Sequence, residues 1–310
     1  MVVVDMPTGV VLDPDRSSVN HVAAAIDQAR HAYDAGVRQV WIAQQFDHDA
    51  ISLAGHVGVA VPGLGVGTFV VPINPRHPLV VAAQAQTAQA ATGGNFSLGL
   101  GLGAHAPEEE AFGIKWPNTI GRLREHLEVL RSIVDTGTVN FHGDEFIAAP
   151  QFPVTIAGGS PLPIYVAAMG PKALRVTGEL ADGTLPYLAG PRTLEEFIVP
   201  TITAAATAAG RPAPKVIAAV PVLVTDDVDE GRARAAEALE FYATIPSYAR
   251  TIEREGVNSV IDLAAVGTAG QVTRQLRRYL DAGATDVVLS PLVRTGIAAL
   301  EPIWDVAAGL

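Results

Sequence analysis

The stretch Ile164–Leu188, IYVAAMGPKALRVTGELADGTLPYL, holds one complete repeat of the pattern that decides the fold. Ile164–Ala168 is a short β-rich run, Pro171–Leu180 reads as a helix with a proline in its first turn, and Gly183–Leu188 is a second β-rich run. Two strands joined through a helix lie parallel, because the helix carries the chain back to re-enter the sheet in the same direction. Strands of this kind are covered on both faces and need no polar alternation.

The same unit recurs outward in both directions. Upstream, Met1–Asp5 (MVVVD) is a buried strand, and Ala23, Ile26, Ala29 and Tyr33 recur at helical spacing before a stop at Gly36. Val37–Ile42 and Gly65–Val71 are the second and third strands, His77–Ala91 is an Ala-rich helix, and Phe96–Leu102 (FSLGLGL) is the fourth strand. The helix Ile120–Val134 carries Leu123, Leu127, Leu130 and Val134 on one stripe, and a hairpin is expected over Val139–Ala148, turning at His142-Gly143-Asp144. Downstream, helices Thr193–Ala209, Glu230–Tyr242 and Gln271–Ala282 alternate with strands Val216–Val224 and Thr285–Ser290, and Ala298–Ala308 forms a last helix. About eight such units predict one (β/α)8 barrel domain over residues 1–310, with insertions after strands and the chemistry on loops at the strands' C-terminal ends. The segment Ala104–Asn118, after the fourth strand, is the first of those loops to examine.

Composition narrows the function. The chain has 310 residues, 49% of them hydrophobic, no cysteine and a formal charge of −11. Disulfides, thiolate metal sites and cysteine nucleophiles are thereby excluded. With no basic cluster, a nucleic-acid surface is not expected. No apolar run is long enough for a membrane span and no signal pattern opens the chain, so a cytoplasmic protein is expected.

Four clusters could carry chemistry. Gly99-Leu100-Gly101-Leu102-Gly103 ends the fourth strand, where glycines either let a flat ligand or phosphate approach or simply pack closely. It is not a dinucleotide fingerprint, since no helix starts at once. Ala167-Ala168-Met169-Gly170-Pro171 leads into a helix and reads either as an ordinary strand-to-helix turn or, the favoured reading, as a phosphate site made by the helix's free N–H groups. Pro72–Pro78 is a rigid excursion in which Arg76 and His77 are read as structural. Gln44, Gln45, Asp47, His48 and Asp49 follow the second strand; Asp47 and Asp49 are read as solvated loop residues, and no metal site is completed. The run Glu108-Glu109-Glu110 reads as a helix N-terminus favoured by the dipole. No nucleophile elbow or Walker loop is present.

In this order the pieces resemble the bacterial luciferase-like superfamily, and within it the oxidoreductases that use the deazaflavin coenzyme F420. The resemblance rests on Ala35–Trp41, Arg76-His77-Pro78, Phe96–Gly103, Arg122-Leu123-Arg124-Glu125, Ala167–Pro171, Gly178–Gly183, Leu223–Asp227 and Gly267-Thr268, and spans almost the whole chain. The Arg-His-Pro segment resembles the methylene-tetrahydromethanopterin reductase branch, which favours F420 over FMN. The resemblance implies a deazaflavin with its ring against a third-strand bulge at Thr68-Phe69, where relatives hold a non-proline cis peptide. It places Gly101, Leu102 and Gly103 under the ring and ribityl chain, and Ala167, Ala168, Met169 and Gly170 around the phosphate. It further implies a small-molecule substrate and a homodimer.

This chain departs from the pattern at two places. Relatives carry an acid and a histidine where Gln44 and Gln45 stand, and sugar-phosphate-oxidising relatives carry an acid at Ala104. Gln45, expected at the end of the second strand and the candidate catalytic residue, can donate and accept hydrogen bonds but cannot shuttle a proton at neutral pH. Reduction of an activated C=C or C=N bond suits such a site better than alcohol oxidation. An FMN-dependent monooxygenase and a non-catalytic flavin- or deazaflavin-binding protein remain as alternatives.

Overall fold

A computed structural model describes residues 8–14, 17–103, 105–292 and 296–310. Parallel strands alternate with helices, and these are the elements of a (β/α)8 barrel, the fold class read from the sequence. Contacts divide the chain into two compact units: residues up to Trp41 with Leu185–Thr201 and Lys215–Leu310, and Ile42–Thr184 with Ile202–Pro214.

In the first unit Thr8–Leu12 pairs in parallel with Asp286–Pro291, with Thr8 opposite Val287. Asp286–Pro291 in turn pairs with Lys215–Val224, and Ile217 stands opposite Asp286. Lys215–Val224 is buried along its whole interior, the pattern of a strand covered on both faces. Leu223, Ala235, Leu239, Val260, Leu263 and Val266 form a core cluster over its far end.

In the second unit Phe96–Gly101 is central. It pairs with Gly65–Thr68 and Val71–Pro72 on one side and with Ile164–Ala167 on the other, and Ile164–Ala167 pairs with Gly183–Thr184. Leu98, Leu100, Ile164, Val166, Leu123, Leu127 and Leu130 are fully buried here. The antiparallel hairpin Phe141–His142 with Ile147–Ala148 lies where the sequence puts it. Its turn is held by Glu125, whose carboxylate accepts from the amides of Asp144, Glu145 and Phe146 at 2.9, 2.8 and 2.9 Å.

Some boundaries need correction. The expected strand Met1–Asp5 lies outside the described residues; among those described, the first strand is Thr8–Leu12. The third strand is two pieces, Gly65–Thr68 and Val71–Pro72, separated by a cis peptide at Phe69–Val70. The sixth is short: Gly183–Thr184 is the strand, followed by an isolated bridge from Tyr187 to Ala219. Pro186 lies between them and has no N–H to give a ladder. The helices Ala50–Ala60 and Pro246–Glu255 and the strand Ala265–Gly267 were not anticipated.

Candidate functional site

Three groups picked out from the sequence meet at one end of three neighbouring strands of the second unit. The register sets Pro72 beside Gly101 and Gly101 beside Ala167. The Phe69–Val70 break, the glycine loop and the Ala167–Gly170 turn are therefore lateral neighbours. Thr68 is fully buried, and its hydroxyl donates to Gly99 O and accepts from Gly99 N, both at 2.8 Å. That hydroxyl is spent on aligning the strands. Phe69 N donates to Ile42 O at 2.7 Å, which ties the break to the second strand.

The loop has room for glycine only. A Cβ on Gly101 would stand 2.6 Å from Val70 Cγ2. Gly103 adopts φ +81°, and a Cβ there would stand 2.3 Å from both carboxylate oxygens of Glu108. Glu108, on the helix His105–Phe112, is only 6% exposed and accepts from Asn74 Nδ2 at 2.6 Å. The same Nδ2 reaches Leu102 O at 3.3 Å, and Arg122 donates to Asn74 O at 3.2 Å. Arg122 is paired with Glu145 at 3.2 Å. Asn74 and Glu108 thus brace the loop from behind, a role that sequence reading missed. The available signals were an asparagine held between two prolines and an acid five residues beyond the last glycine.

In the Ala167–Gly170 turn the four residues differ. Ala168 is fully buried; its N–H donates to Val166 O at 2.8 Å and approaches Thr184 Oγ1 at 3.4 Å, while its carbonyl accepts from Thr184 Oγ1 at 3.1 Å. Its polar groups are committed within the protein, which leaves it lining the turn rather than donating. Met169 and Gly170 have no intramolecular N–H partner among the described residues. Gly170 is the N-cap of Pro171–Leu180, has no side-chain cap, and faces open space where a Cβ would be. Free amides at a helix N-terminus attract anions.

The loop after the second strand corrects one reading. Asp49 is not a solvated loop residue: it caps the helix Ala50–Ala60 by accepting from Ser52 N at 2.7 Å and pairs with Arg76 at 2.7 Å. Burial works to raise its pKa, but the bonds from Ser52 and Arg76 outweigh it and hold the carboxyl below its ordinary range. Gln44 Oε1 accepts from Arg76 at 2.9 Å and from Ala50 N at 3.0 Å, so this amide is structural. Arg76 also reaches Gln84, and His77 caps the helix Pro78–Ala91 through Nδ1 while Nε2 faces Ile147 O at 3.1 Å. Both residues brace the fold, as read. Gln45 lies three residues beyond the strand end at Ile42, is exposed, and has no side-chain hydrogen bond among the described residues. Ala104 lies outside the described residues. Among the described residues no cluster of His, Asp and Glu is placed to hold a metal.

Residues 6–286 match the family model described as luciferase-like monooxygenase. The chain is 28% identical over 232 residues to 5,10-methylenetetrahydromethanopterin reductase of Methanolobus tindarius, covering 74% of this chain and 70% of that one. It is 26% identical over 293 residues to F420-dependent glucose-6-phosphate dehydrogenase of Amycolatopsis mediterranei, covering 85% and 86%. The solved coenzyme F420-dependent tetrahydromethanopterin reductase from Methanopyrus kandleri superposes with a TM-score of 0.75 at 20% identity, over 96% of this chain and 97% of that one.

Proposed function

The chain belongs to the luciferase-like monooxygenase family, and from that membership we propose that it is a single-domain F420-dependent oxidoreductase moving a hydride between deazaflavin and a small organic substrate. One observation carries the reading: the glycine loop and the free-amide turn sit side by side on paired strands, Gly101 against Ala167. A flat ring needs the first and a phosphate needs the second, and both fit. The choice of F420 over FMN is supported by curated relatives that are named as F420-dependent or methanopterin-reducing enzymes.

When bound, the deazaflavin supplies the hydride, and the protein supplies position and exclusion of water. Gly101 and Gly103 allow the ring to lie against backbone, with Leu102 between them. Thr68 and Phe69 fix the edge of the bed through their bonds to Gly99 and Ile42. The amides of Met169 and Gly170 hold the phosphate, and Ala167 and Ala168 shape the turn. Gln45 orients a substrate carbonyl or imine by hydrogen bonding and leaves proton delivery to solvent. This suits reduction of an activated C=C or C=N bond. The protein contains no helix, among the described residues, long and apolar enough to cross a membrane.

Fluorescence titration of the purified protein with F420 and with FMN tests the reading. F420 should bind much more tightly; equal or tighter FMN binding would reject it and favour the monooxygenase alternative. The phosphate turn has its own test. Gly170→Pro removes one N–H, and a charge-assisted bond contributes roughly 1.5–3 kcal/mol, so F420 affinity should fall at least about tenfold. Gly170→Ala, which meets nothing within 4 Å, should bind like the parent. Parent-like affinity in a folded Gly170→Pro protein would move the phosphate elsewhere.

A further inference from the structure

Two exposed aromatic rings and one partly buried ring meet in the segments that follow the second and fourth strands. Phe46 is 80% exposed and Phe112 41% exposed, and their ring centroids are 5.9 Å apart at 52°. Phe112 meets Trp116 at 6.1 Å and 71°. Phe46 directly follows Gln45, and Phe112 ends the helix whose Glu108 backs Gly103. The contact therefore joins the loop after the second strand to the segment after the glycine loop, on the rim of the proposed cofactor bed. Contiguous exposed apolar surface rimmed by polar residues is a feature of ligand-binding grooves. Tilted rings also leave faces and edges to which a flat molecule can pack.

The surroundings limit the chemistry. Among the described residues, Arg76 is paired with Asp49, Lys115 with Glu109 at 3.1 Å, and Arg122 with Glu145. A phosphorylated or carboxylated ligand would find no open positive charge among them. Gln45 adds one uncommitted amide. A second copy of the chain is a poor occupant, since three rings bury about 450–750 Å² at most, less than the roughly 800 Å² per partner of a standard interface.

We propose that Phe46, Phe112 and Trp116 form the substrate-recognition wall, and that the substrate is an uncharged, flat, conjugated molecule whose carbonyl or imine faces Gln45. This rests on the deazaflavin reading for its chemistry, but not for binding. The test is calorimetric titration with two enones, 4-phenylbut-3-en-2-one and pent-3-en-2-one, with and without F420. The aryl enone should bind, and the alkyl enone at least about tenfold more weakly. Phe46→Ala and Phe112→Ala should each weaken aryl-enone binding about tenfold, Phe46→Tyr should restore it, and F420 affinity should not move. No aryl-enone binding by the parent at millimolar concentration, or equal binding by parent and alanine variants, overturns the proposal. So does a Phe46→Ala protein that changes only from dimer to monomer in sedimentation. If F420 fails to bind while the ring variants still discriminate the enones, the deazaflavin reading falls and the wall stands.

Discussion

Gly103→Val is expected to weaken F420 binding by about a hundredfold or more while the barrel still folds. Two costs combine at this position. At φ +81° a β-branched residue is a backbone outlier, and the left-handed region alone costs roughly 1–2 kcal/mol. Its Cβ would also fall 2.3 Å from the Glu108 carboxylate. A flexible acid would swing away, but this one is buried and held by Asn74 at 2.6 Å, with Asn74 itself held by Arg122. The loop must therefore leave the bed it forms. Gly103→Ala should show a milder version of the same loss. Glu108→Ala separates the two costs, because it removes the collision and keeps the strain: in that background Gly103→Ala should cost less than in the parent. Fluorescence titration together with thermal melting decides the matter. Parent-like affinity in a folded Gly103→Val protein would take the glycine loop out of the cofactor site.

How far the sequence alone reaches is clear from individual elements. Past Lys215 the strand Lys215–Val224 is an unbroken apolar run, and Phe96–Gly101 is broken only by Ser97, so both can be read without knowing their partners. The first strand is different. Thr8–Leu12 takes its place through pairing with Asp286–Pro291, some 280 residues away along the chain, and no local pattern announces that partner. The helix Ala50–Ala60 contains two glycines and two valines and has weak intrinsic propensity, yet Asp49 at its N-cap was a legible start signal.

The site divides in the same way. Glycine loops and a proline-started helix are local motifs, and local motifs can be read. Which of Glu108, Glu109 and Glu110 turns inward depends on the phase of a short helix against Asn74, and that phase belongs to tertiary packing. The role of Asp49 was hidden for a related reason: Arg76, its partner, comes 27 residues later and reaches it only in the fold. The Phe46–Phe112 contact is longer in range still, so neither ring announces the other.

Stability should fall as pH drops from about 6.5 towards about 3, and His126 should be the main source. This histidine lies on the helix Thr119–Thr136, is fully buried, and has no partner at either ring nitrogen among the described residues. Burial, then the charge of Arg122, then His77, depress its pKa to about 3. In the unfolded chain it titrates near 6.5. Between those two values the unfolded state binds the extra proton, so stability is level above pH 7, declines through 6.5 and flattens below about 3. The loss amounts to a few kcal/mol, on the order of 1.4 kcal/mol for each unit of separation. His126→Phe keeps the edge-on contact with Phe146, now at 5.7 Å, and removes both nitrogens. At neutral pH it should raise stability by about 1–3 kcal/mol, the cost of burying polar atoms without hydrogen bonds. Urea unfolding of both proteins from pH 4 to pH 8 gives the comparison. The difference between the two curves isolates His126 from the carboxylates, because those are common to both proteins. Curves that fall in parallel across this range would mean that another group carries the acid sensitivity and that His126 takes up its proton in the folded state.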